Sequence, residues 1–114
     1  MLLNVVSTSE STLHIELIGN LDEMGVEDLR DEFEKMLDSL DHHIAIDIHR
    51  MPYIASLGIA MLVSAAQTQK KRGLKVVLFA PTPDVEQLLR QLKIDEVTPI
   101  YPDLSEAISA VGQA

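Results

Sequence analysis

Ser56 has more chemistry open to it than any other residue of this chain. It stands in Ala55-Ser56-Leu57-Gly58, between an extended apolar stretch and a long apolar run. A serine at a helix start has two uses. As an N-cap its hydroxyl accepts a bond from an amide one turn in, a contribution of about 1 kcal/mol. As a phosphate acceptor it places the phosphoryl group beside unpaired amides at the positive end of the helix dipole. Both uses fit the position. A nucleophile elbow does not, because it needs glycine two residues before the serine as well as two after, and Ile54 occupies the first of those places.

The remaining catalytic inventory is thin. The histidines are His14, on the polar face of a strand, His42 and His43 at a helix–strand junction, and His49 near a strand end. No pair has the helical i, i+4 spacing of a metal site and no cysteine completes one, so exposed histidines without metal are expected. Gly19, Gly25, Gly58, Gly73 and Gly112 are scattered and form no phosphate loop, which leaves nucleotide binding the weakest reading. The chain reads as a non-enzyme without cofactor.

The elements that would position Ser56 follow from periodicity. Leu2 to Val6 and Thr12 to Ile18 read as an antiparallel hairpin, with Leu13, Ile15 and Leu17 on one face and His14 and Glu16 on the other. Asp22 can cap a helix running to about Leu40 through Val26, Leu29, Phe33, Met36 and Leu37. Ile44, Ile46 and Ile48 make the next strand. The run from Leu57 through Ile59, Leu62 and Ala66 predicts a helix covered on most sides, closed by Lys70-Lys71-Arg72 and a left-handed Gly73. Leu74 to Ala80 is a strand of a sheet interior. Thr82 and Pro83 start a helix with the stripe Val85, Leu88, Leu89 and Leu92. Val97 to Ile100 is a last strand, and Asp103 with Glu106 starts a helix with the apolar face Leu104, Ala107, Ile108 and Val111. The order β-β-α-β-α-β-α-β-α predicts an α/β fold with a mixed, mainly parallel sheet and helices packed on it.

At 114 residues this is one domain, and 46% apolar content lets it fold without metal or disulfide. The lack of cysteine and of any leader or membrane-length apolar segment fits a cytoplasmic protein. A formal charge of −9 argues against nucleic acid. Nine of the eighteen acids fall between Asp22 and Asp41, which is either a solvated helix face or an acidic surface that steers a basic partner. The apolar residues from Leu57 to Ala66 suit core burial or self-association, and oligomeric state is not readable from them.

The strand Ile44–Ile48, the segment Tyr53–Gly58, the helix to Gly73 and the strand at Val76–Leu78 resemble STAS domains of the bacterial anti-sigma factor antagonist family. The likeness takes in Gly19–Asp22, Pro83–Leu92 and Ile94–Ile100, and so covers nearly the whole chain as a single STAS domain, residues 1–114. The resemblance implies partner switching. In that family a serine kinase that is also an anti-sigma factor phosphorylates the domain, a PP2C-type phosphatase reverses this, and the unphosphorylated form binds the kinase, so a serine kinase/anti-sigma factor and a PP2C-type phosphatase are the partners the resemblance implies. The output would be transcription or biofilm control. The family motif Asp-Ser-Ser/Thr-Gly puts the phosphorylated serine at Ser56 and the glycine at Gly58, while Ala55 replaces the acid and Leu57 the second hydroxyl residue. A partner surface of Asp22, Ala55, Ser56, Leu57, Gly58, Met61 and Thr82 follows. STAS domains also accompany anion transporters and lipid-transport ATPases, so a peripheral subunit of a membrane transport assembly, independent of phosphorylation, is the alternative.

Overall fold

The strands β1 (Leu2–Thr8), β2 (Thr12–Ile18), β3 (His43–Asp47), β4 (Val76–Phe79) and β5 (Ile100–Tyr101) form one sheet in that spatial order. The structure, a computed structural model, describes residues 1–8, 11–39 and 41–112. β1 pairs antiparallel with β2, and β2, β3, β4 and β5 run parallel, so the α/β fold with a mixed, mainly parallel sheet is observed as the patterning predicts. The helices are α1 (Glu23–Ser39), α2 (Ser56–Lys71), α3 (Pro83–Gln91) and α4 (Leu104–Gly112). A single 3-10 turn, Ile94–Glu96, precedes β5, where the sequence patterning showed none. The predicted end of α1 at Leu40 lies outside the described residues.

Side chains alternate across the sheet and build two cores. One face carries Leu13, Ile15, Leu17, Ile44, Ile46 and Leu78, covered by residues such as Phe33 of α1, Leu62 of α2 and Leu89 of α3. The other face carries Ala45, Val77 and Phe79 under Ala107 and Val111 of α4. This second core corrects the reading of His14 as exposed. His14 is opposite Ala45, its ring lies 5.2 Å from that of Phe79, and only 9% of it is accessible.

Other expectations are corrected by where the helices end up. α2 is covered on one side only, burying Ile59, Leu62, Ala65 and Ala66 while Leu57, Ala60 and Ser64 are exposed. Leu92 caps α3 in solvent, and Leu104 and Ile108 are exposed on α4, so the stripes of these helices are narrower than their apolar residues suggest. The strand expected at Val97–Ile100 is pushed to Ile100–Tyr101 because Val97 and Thr98 close the 3-10 turn through their amides. Gly73 adopts φ 75°, with its amide donating to Lys70 O, as the left-handed helix stop requires. Next to it Arg72 donates to Leu37 O at 2.6 Å and ties the C-terminal ends of α1 and α2 together.

Candidate functional site

Because β2, β3 and β4 are parallel neighbours, the loops that leave their C-terminal ends share one edge of the sheet. Those loops carry Asp22, Ser56 and Thr82. The first two are joined directly. Leu21 forms a parallel bridge with Ile54, Leu21 N donates to Tyr53 O at 2.9 Å, and Ala55 N donates to Leu21 O at 3.0 Å. Leu21 is fully buried beneath this junction.

Gly58 is what lets α2 start so close to that loop. A Cβ on Gly58 would overlap the Leu21 carbonyl oxygen and lie 2.6 Å from Leu21 Cγ. The glycine is therefore a packing requirement, and it is buried.

The helix starts at this edge are built differently. Asp22 immediately precedes α1 and accepts from Gly25 N at 2.9 Å, which is the capping role its type predicts. Thr82 is the N-cap of α3 and accepts from Val85 N at 3.4 Å, with Pro83 as the first helical residue. At α2 the N-cap is Ala55, in extended conformation and without a side-chain cap bond. The reading of Ser56 as the N-cap is thus corrected by one position. The bond from Ala55 N to Leu21 O holds Ala55 extended, Ile59 N closes the first helical bond on Ala55 O, and Ser56 becomes the first helical residue with its side chain exposed. Leu57 is exposed beside it and Met61, one turn on, is half-buried. The carboxylate expected from the resemblance at position 55 would stand at the N-cap, so its replacement by alanine removes a helix cap as well as a charge.

The chain turns from β4 into the Thr82 loop through Ala80, which has φ 57°, a left-handed value uncommon for a residue with a Cβ. Its amide donates to Tyr101 O at 3.0 Å, which fixes the turn.

A cluster at the same end of the sheet was invisible to sequence spacing. Glu16 is opposite Asp47 on adjacent strands, and His49 follows, so the ligand-type atoms of all three lie within 4.8 Å of one another. His49 Nδ1 lies 2.7 Å from Asp47 Oδ1 and 3.5 Å from Glu16 Oε2, and His49 N also donates to Asp47 Oδ1. These donors are of the type that holds a divalent cation, and here Asp47 Oδ1 lies against both the backbone nitrogen and the ring Nδ1 of His49. The signal was register across two strands, which no single-segment motif contains.

Comparison with known proteins adds the following. A family model described as STAS domain matches residues 5–107. A search of curated proteins gave no match. Among solved structures the fold is shared with an anti-sigma-factor antagonist (STAS) domain protein from Planctomyces limnophilus, TM-score 0.83, 21% identity, over 97% of this chain and 98% of that one. It is shared with the anti-sigma factor antagonist SpoIIAA in its unphosphorylated form, TM-score 0.79, 19% identity, over 96% of each chain. It is shared also with part of the murine anion transporter Slc26a9, TM-score 0.77, 14% identity, over 91% of this chain and 18% of that one.

Proposed function

The chain belongs to the STAS domain family, and on that footing we propose that it is a protein-binding switch set by phosphorylation of Ser56. The observation that carries this reading is the uncapped start of α2, where an exposed Ser56 stands in the first turn and Ala55 offers the helix no side-chain acceptor. A phosphate there adds about −1.5 to −2 charges with three acceptor oxygens, at the one place in the loop edge where amides lack a cap. The helix tolerates the modification, while a partner resting on Leu57 and Met61 meets a new charge. The partner of the unphosphorylated form is a serine kinase with anti-sigma activity or a related regulator in the cytoplasm, and a PP2C-type phosphatase restores binding. The contact surface comprises Asp22, Ala55, Ser56, Leu57, Met61 and Thr82, with Gly58 beneath it, and the output is transcriptional or biofilm control.

Intact-mass measurement and phosphosite mapping on protein from its native cells test this first. Added mass of about 80 Da at Ser56 is expected. Binding to the captured kinase should then be lost in Ser56→Asp and kept in Ser56→Ala, and equal affinity for all three forms sinks the reading. The fold shared with a segment of an anion transporter favours one other reading, a peripheral subunit of a membrane transport assembly. Among the described residues no helix is long and apolar enough to cross a membrane. An ATPase or transporter in the eluate of a pull-down, with Ser56 unmodified under several growth conditions, selects that reading.

A further inference from the structure

The half-covered α2 has a neighbour whose shape says what could complete it. α1 and α2 lie side by side and leave between them a groove of about 530 Å³ that begins at Leu57, one residue after Ser56, and runs to Thr68. Those positions span eleven helical steps, about 16 Å, or three turns of a partner helix. The apolar floor is Phe33 and Leu37 from α1 with Met61 and Ala65 from α2. The two walls differ. On the α2 side the exposed residues Ala60 and Ser64 are small and uncharged, so a backbone can approach closely. On the α1 side stand Glu34 and Asp38 together with Arg30, a net negative wall in a helix of seven acids and two bases.

We infer that this groove takes an amphipathic helix of a partner protein, its apolar stripe on Leu57 and Met61 and its lysines or arginines along Glu34 and Asp38. Charge selects this occupant. Among its described residues a second copy of the chain offers no such helix: α1 is acidic, the bases of α2 sit in its last turn, α3 has two acids against Arg90, and α4 has no base. An anionic lipid surface would be repelled by the same wall. The inference deepens the switch reading and rests on it only in giving the helix to the partner that senses Ser56. A partner lying along the groove has its end at the serine, which is how a modification at one residue would govern a whole interface.

The test uses the full chain labelled with ¹⁵N and an amphipathic leucine–lysine helical peptide of about five turns, with the leucine–glutamate counterpart as control. Amide shifts confined to residues 30–38 and 57–68 are expected with the basic peptide. The exposed charge reversals Glu34→Lys and Asp38→Lys together should weaken it by about tenfold or more, and added salt should weaken it too. Binding of the acidic peptide equally well, shifts mapping elsewhere, or unchanged affinity in the double variant overturns the inference. So do the same shifts appearing with protein concentration alone, which mean a second copy, or with anionic vesicles, which mean lipid. The two readings fail separately. Peptide in the groove with Ser56 never phosphorylated leaves the groove and removes the switch, and phosphorylated Ser56 with peptide bound elsewhere does the reverse.

Discussion

Among the described residues three helices start on an oxygen that takes up a first-turn amide: Asp22 for α1, Thr82 for α3 and Asp103, which accepts from Glu106 N at 2.9 Å, for α4. The fourth, α2, starts on Ala55. Local stability alone would favour the same solution everywhere, since Ser, Thr, Asp or Asn at an N-cap outperforms alanine by about 1 kcal/mol. The exception falls where an exposed serine stands next. The difference teaches that the start of α2 is held from outside, by the bridge of Leu21 to Ile54 and the fit of Gly58 against Leu21, and leaves its amides for something else to engage.

The strongest way to break this comparison is to remove the outside support. Gly58→Ala puts a methyl group into the Leu21 carbonyl and should cost about 3 kcal/mol, read as a fall in denaturant midpoint, with the Asp22 and Ser56 loops losing amide protection together. A variant as stable as the parent would mean that Leu21 does not hold α2. Asp22→Ala removes a true cap and should cost about 1 to 2 kcal/mol in the same assay. Ala55→Asp is the sharpening experiment: supplying the missing cap should raise stability by about 1 kcal/mol, and the gain should shrink in protein phosphorylated at Ser56, because phosphate and carboxylate then compete for the same amides and repel.

The smallest effect is a control far from this edge. At the opposite end of β3, His43 is held below its usual 6.5 by burial first, then by Lys75 and His42. Its Nδ1 also accepts from Lys75 N at 2.9 Å. Below pH 6.5 the unfolded chain takes a proton at this ring that the folded chain resists, so stability falls as pH drops and gains nothing from His43 above 6.5. Denaturant midpoints at about pH 7.5 and 5.5 should separate less in His43→Gln, with the α2 start unaffected.

Element order was legible because each segment declares its own period. Ile44, Ile46 and Ile48 alternate, Leu29, Phe33 and Leu37 recur by helical turns, and Asp22 and Thr82 announce helices three residues before their bonds close. What escaped depends on distant partners. His14 looked like a polar-face residue until α4 returned over Ala45 and Phe79. Ser56 looked like a cap because nothing near it reveals that Leu21 fixes Ala55 in the extended state. Leu92 and Ile108 have the right spacing for burial but stay 54% and 39% exposed. The Glu16–Asp47–His49 cluster exists only through strand register.

The junction of Leu21 with Ile54 also sets the order in which this edge can be assembled. Its two halves belong to successive βα units, and neither extended segment has a hydrogen-bonding partner until the other has emerged and folded. A chain still being synthesised lacks the bonds of Tyr53 and Ala55 to Leu21 until both segments are present. The start of α2 is therefore completed only when both βα units are in place.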